Sequence, residues 1–130
     1  MKQQPKIDVA LSPLLFQNYF LPDKIVVVTD VLRATSAICT AFEYGAEAII
    51  PVATIEEAQA FKAKGFLVGA ERNGEKLPEF DFGNSPFEYM TEKIKGQTIV
   101  LTTTNGTKAV KQAQNAHQLL IGAFTNFTAL

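Results

Sequence analysis

The chain has 130 residues, of which 47% are hydrophobic and 19% charged, with a formal net charge of −1 and a pI near 5.8. Those values predict one folded domain with a real core, and they exclude disorder and a broadly basic surface for nucleic acid. A lone cysteine, Cys39, leaves no internal disulfide and fits a reducing compartment, no Cys/His cluster spells zinc, and neither the start MKQQPKIDVA nor any later run resembles a leader or a span of roughly 20 apolar residues, so a cytoplasmic location away from membranes is expected.

In chain order, Ile7-Asp8-Val9-Ala10-Leu11 alternates weakly before Ser12-Pro13 and reads as a short edge strand. Leu14 to Leu21, with Phe16, Tyr19 and Phe20, reads as a loop or helical turn lying on the sheet. Lys24 to Thr29 is apolar at consecutive positions, as strands covered on both faces are, and ends in Asp30. Ala34 to Tyr44 is small or apolar almost all round, which predicts a buried helix containing Cys39 and closed by Gly45. Ala46 to Val52 is the next strand. Thr54-Ile55-Glu56-Glu57 is a capping box opening a helix to Lys64, and Phe66 to Ala70 is a strand delivering Glu71 and Arg72. Asn73 to Gly83 reads as a long irregular loop whose phenylalanines, Phe80 and Phe82, with Phe87, wrap it onto the core or line a pocket. Ser85-Pro86-Phe87-Glu88 carries the signature of a helix start, with the helix running to about Lys95. Ile99-Val100-Leu101 is a buried strand, Thr102 to Thr107 a polar turn, and Lys108 to Ala116 an amphipathic helix. Gln118 to Ala123 is a last strand, after which Thr125-Asn126 caps a helix barely begun. His117 reads as a solvated surface residue. Strands alternating with helices predict an α/β fold, three layers α/β/α around a mostly parallel sheet, in a single domain over 1–130.

Ligands of open α/β sheets bind beyond the carboxyl ends of the strands. The polar residues collect at that edge: Asp30, Arg33, Thr35 and Ser36; Glu71 and Arg72; Thr102, Thr103, Thr104, Asn105, Gly106 and Thr107; and Asn126. A hydroxyl-rich turn opening a helix is suited to an anion, since first-turn N–H groups converge there with the positive end of the helix dipole. Arg33 and Arg72 supply planar cations for phosphate or sulfonate. The carboxylates of Asp30, Glu71 and Asp81 suit Mg²⁺. Each has a plainer reading: Asp30 as a helix cap, Glu71 with Arg72 as a surface pair, Asp81 as a turn former, and the Thr102–Thr107 run as an ordinary cap.

Four blocks in order, Asp30-Val31-Leu32-Arg33-Ala34-Thr35-Ser36, Gly69-Ala70-Glu71-Arg72-Asn73-Gly74, Asp81-Phe82-Gly83-Asn84-Ser85-Pro86 and Thr102-Thr103-Thr104-Asn105-Gly106-Thr107, resemble the 2-phosphosulfolactate phosphatase family of the ComB type. Members are considerably longer, so the resemblance is to their N-terminal portion. It implies Mg²⁺-dependent hydrolysis of 2-phospho-3-sulfolactate, or a related phosphorylated hydroxy acid, to sulfolactate and phosphate, a step of coenzyme M biosynthesis. In that reading Asp30, Arg33, Glu71 and Arg72 are catalytic, with direct attack by water and first attack by Asp30 both open, and Asp30, Glu71 and Asp81 hold the metal. Thr35, Ser36, Asn84, Ser85, the Thr102–Thr107 run and Asn126 bind the anionic substrate. The partner expected is a small phosphoester, with assembly into a homo-oligomer left open. Leu32 stands where a haloacid dehalogenase carries its second aspartate, and Leu11-Ser12-Pro13 lacks the acidic cluster of a receiver domain. A non-catalytic phosphate-sensing module and an inactive fragment remain the alternatives.

Overall fold

The computed structural model describes residues 4–19 and 22–130. Its strands are β1 (Ile25–Thr29), β2 (Ala48–Pro51), β3 (Leu67–Arg72), β4 (Glu75–Lys76), β5 (Thr98–Thr102) and β6 (Gln118–Gly122). Its helices are α1 (Pro13–Phe16), α2 (Ala34–Glu43), α3 (Ile55–Ala63) and α4 (Gly106–Gln112). The architecture is α/β, with β1 and β6 paired parallel and a second sheet in the order β2-β5-β3-β4. Among the described residues, only the β3–β4 pairing is antiparallel.

Consecutive residues of β5 serve opposite faces, as the period of a strand requires. Ile99 and Leu101 pack with Ala37, Ile38 and Ala41 of α2, while Val100 between them packs with Val68 and Ala70 of β3 and Ala58 of α3. A third cluster joins Val28 of β1 to Val110 and Ala113 beside α4. Helix α3 starts as its sequence predicts: the Thr54 hydroxyl accepts from Glu57 N–H at 3.1 Å, and the Glu57 carboxylate accepts in return from Thr54 N–H.

The departures have local causes. Residues 7–11 form no strand: Ile7, Val9 and Leu11 are exposed, and no neighbouring strand pairs with them. Strand β1 is buried on one face only, since Ile25 and Val27 point away from α4 and remain exposed. The predicted turn over Leu14–Leu21 is α1, although Phe20 and Leu21 lie outside the described residues. Between Ser85 and Lys95 there are two 3-10 turns, Pro86–Tyr89 and Glu92–Ile94, instead of one α-helix. Met90 leaves helical geometry with ψ 63°, and Thr91 caps the second turn by accepting from Lys93 N–H. Glu88 binds Gly83 N–H at 2.8 Å rather than the N–H of Ser85, so no capping box forms. Phe87 is exposed, whereas Phe80 and Phe82 are core; Cys39 is only half-buried; and Phe124–Asn126 is a single 3-10 turn.

The segment expected to be irregular is ordered by backbone pairing. Asn73 and Gly74, at φ 55° and 84°, turn β3 back into β4, as an Asn-Gly pair does in a tight hairpin. The chain then runs beside β3, with Asp81 and Phe82 N–H donating to Val68 C=O and Ala70 N–H donating to Phe82 C=O. That pairing is parallel. The segment therefore travels in the direction of β3 and carries Asn84 to the carboxyl end, where Glu71 lies.

Candidate functional site

A cleft of about 230 Å³ opens at that rim, lined by Asp30, Arg33, Glu71, Asn84, Thr104 and Asn105 together with Leu32, Asn73 and Gly74. Asp30 leaves β1 and faces the start of α2: its N–H donates to the Thr35 hydroxyl at 3.0 Å, and its C=O accepts from Thr35 N–H. Thr35 is fully buried by this work, and the Ser36 hydroxyl donates to Val31 C=O, so both hydroxyls brace the Asp30 turn. Gly106 brings α4 against this turn, because a Cβ placed there would overlap Ala34 and lie 2.8 Å from Asp30 Oδ2. Burial pushes the Asp30 carboxyl above its ordinary range, and the negative charge of Glu71 pushes it further, against one N–H from Ala34.

Glu71 is 5% exposed and carries the bonds that close the site. Its Oε1 accepts from Gly74 N–H at 2.5 Å and the Thr104 hydroxyl at 3.0 Å, and its Oε2 accepts from Thr104 N–H at 3.2 Å. Burial raises this carboxyl, but those donors and the charge of Arg72 outweigh it and hold the group below the usual range. Three of its roughly four lone-pair directions are thus occupied, leaving one for a ligand. Arg33 reaches across the cleft to Gly74 C=O at 2.7 Å, and the Leu32–Arg33 peptide is cis. Asn84 is 6% exposed, and its Oδ1 is buried with no hydrogen-bond partner.

Several residues expected at the site do other work. The Arg72 guanidinium donates to Glu71 C=O and the Thr102 hydroxyl, locking β3 to β5, and it does not line the cleft. It forms no ion pair with Glu71 among the described residues, so the surface-pair reading fails as well. Thr103 and Thr107 are buried and cap each other, each hydroxyl accepting from the other's N–H at 3.1 Å. With Thr104 N–H given to Glu71, the polar run is mainly a brace, and Thr104 and Asn105 are its cleft-facing members. Ser85 does not line the cleft. Asn126 caps its own turn beside an apolar groove between α2 and β6.

Asp81 does not line the cleft either. Its carboxylate takes Lys62 at 3.1 Å, Lys93 at 3.2 Å and Val68 N–H at 3.0 Å, which ties the returning segment to α3 and β3. No group of three or more His, Cys, Asp or Glu side chains placed to hold a metal occurs among the described residues. The carboxylates of Asp30 and Glu71 remain, two hard oxygen donors in one open cleft. They fit Mg²⁺, which takes one or two carboxylates and completes its shell with water and phosphate oxygens. Sequence reasoning passed over Asn73 and Gly74 as cleft residues; the Asn-Gly hairpin signal marks the turn but not what it faces.

The model of the 2-phosphosulpholactate phosphatase family matches residues 10–130. A probable 2-phosphosulfolactate phosphatase of Carboxydothermus hydrogenoformans is 50% identical over 127 residues, covering 96% of this chain and 52% of the relative. Proteins of the same name from Thermotoga maritima and Clostridium tetani are 51% and 44% identical, over 80% and 95% of this chain and 45% and 54% of the relatives. The chain spans about half the length of the curated relatives it matches.

Proposed function

The chain belongs to the 2-phosphosulpholactate phosphatase family, and on that premise we propose that its cleft binds a small phosphate monoester, 2-phospho-3-sulfolactate or a related phosphorylated hydroxy acid, and hydrolyses it to the alcohol and phosphate with Mg²⁺. The observation that carries this reading is the meeting of Asp30, Arg33, Glu71, Asn84 and Thr104, from four separate stretches of chain, around one polar cleft. When bound, the cation supplies charge neutralisation of the phosphoryl oxygens.

Asp30 and Glu71 would hold the ion. Glu71 is fixed by Gly74 and Thr104 and stays ionised, so its orientation is set before substrate arrives. Asp30, raised by burial and by the charge of Glu71, would also be the group that accepts the proton of the attacking water. As that water oxygen bonds to phosphorus, the ester P–O bond breaks, and the leaving oxygen takes its proton from solvent at the open cleft. Arg33 holds one N–H on Gly74 C=O and offers its remaining donors to the carboxylate or sulfonate of the substrate.

The test is phosphate release from 2-phospho-3-sulfolactate and from simpler phosphoesters, with and without Mg²⁺, by this chain and by a full-length relative. Mg²⁺-dependent release that Arg33→Ala lowers at least tenfold is expected. Substrate binding without release by either protein would replace the hydrolase with a phosphate-sensing module.

A further inference from the structure

We propose that Asn84 is a ligand of the divalent cation, its amide oxygen joining the carboxylates of Asp30 and Glu71. The proposal rests on the magnesium reading above for the identity of the ion, and it moves Asn84 from the substrate's binding groups to the metal's. Three observations converge. Asn84 Oδ1 is enclosed, in a residue 6% exposed, and has no donor, whereas buried amide oxygens are ordinarily hydrogen-bonded. The residue lines the same cleft as Asp30 and Glu71. It is also held there firmly: Gly83 beside it is clamped by Glu88, which accepts from Gly83 N–H at 2.8 Å, and by the Tyr89 hydroxyl, which donates to Gly83 C=O at 2.8 Å.

The chemistry of the ligands decides what this oxygen meets. A phosphate dianion, a carboxylate and a sulfonate are all acceptors, and an amide oxygen aimed at them is repelled. The group that satisfies an acceptor in a cleft it shares with two carboxylates is a hard cation, for which an amide oxygen is an ordinary ligand. Neither Arg33 in the cleft nor Arg72 behind it forms an ion pair with Asp30 or Glu71 among the described residues. An amide turned over would instead offer its N–H to phosphate, and the two arrangements respond oppositely to a carboxylate in its place.

Mn²⁺ serves as the probe, its free signal followed by electron paramagnetic resonance in titrations of the wild-type chain, Asn84→Ala, Asn84→Asp and Asp30→Asn, with Mg²⁺ as competitor and thermal unfolding as the check on folding. A fivefold or greater rise in the Mn²⁺ Kd is expected for Asn84→Ala, with binding retained or tightened in Asn84→Asp. Unchanged Mn²⁺ affinity in Asn84→Ala, alongside loss in Asp30→Asn, overturns this assignment and leaves the magnesium reading standing. Absence of Mn²⁺ binding by the wild-type chain overturns both. Mn²⁺ affinity untouched by either Asn84 variant, while inorganic phosphate binding is lost in both, returns Asn84 to the substrate as a donor.

Discussion

Replacing Gly106 by alanine tests the closest approach at the site. Gly106 opens α4 without a positive φ, so the backbone itself accepts an L-residue. In a helix, alanine is favoured over glycine by about 1 kcal/mol, and on that ground alone the variant is more stable. The added Cβ, however, overlaps the Cβ of fully buried Ala34 and lies 2.8 Å from Asp30 Oδ2 and 3.3 Å from Thr103 Oγ1. Ala34 has no flexible end to move aside, and relieving overpacked contacts of this kind costs about 1–3 kcal/mol. The balance is a net loss of about 0–2 kcal/mol, with each kcal/mol lowering the thermal midpoint of a chain this long by roughly 3–5 °C. Relief comes by pushing the Asp30 turn away from α4, so Mn²⁺ affinity falls with stability. Urea unfolding, thermal unfolding and Mn²⁺ titration of Gly106→Ala measure both effects. A midpoint that rises, as helix propensity alone dictates, with ion binding intact, refutes the packing of α4 against Asp30.

Other expectations separate site from scaffold. Asp81→Asn loses two lysine pairs, both to partly exposed partners, and is expected to lower stability by about 1 kcal/mol in urea while leaving the Mn²⁺ Kd unchanged; a lost ion would return Asp81 to the metal set. The carboxyls of Glu71 and Asp81 sit below their ordinary range in the folded chain, so their stabilisation is present above pH of about 4 and is lost as pH falls through their folded values. Asp30 has the opposite sign. Its raised folded value means the native state binds that proton more tightly, so its contribution is lost as pH rises from about 4 through the folded value. Metal-free Asp30→Asn is therefore expected to be more stable than wild type at neutral pH and to lose that advantage in acid. A variant less stable at neutral pH in unfolding titrations would show that Asp30 is not strained by its neighbours.

Much of the local structure is legible in the amino-acid sequence. The Thr54 capping box, the glycine closing α2 and the buried run Ile99-Val100-Leu101 formed as their patterns require, and the polar residues of several strand ends do meet at one rim. Failures fell where tertiary context supplied or withheld a partner. Residues 7–11 carry a strand-like alternation but have no strand beside them, and Ser85 begins what looks like an α-helix but lost its glutamate to Gly83.

The amino-acid order by itself determined the α/β alternation, most element boundaries and the family, because periodicity, caps and sequence blocks are properties of neighbouring residues. Which polar groups stay free for a ligand was decided only in three dimensions. Thr104 meets Glu71 across 33 positions, Arg33 meets Gly74 across 41, and Asp81 meets Lys62 across 19. Those bonds commit Thr104 and Asp81 within the protein, whereas the buried Asn84 oxygen has no partner among the described residues. A side chain's chemistry is written in the sequence, but its availability depends on what the fold brings within about 3 Å of it.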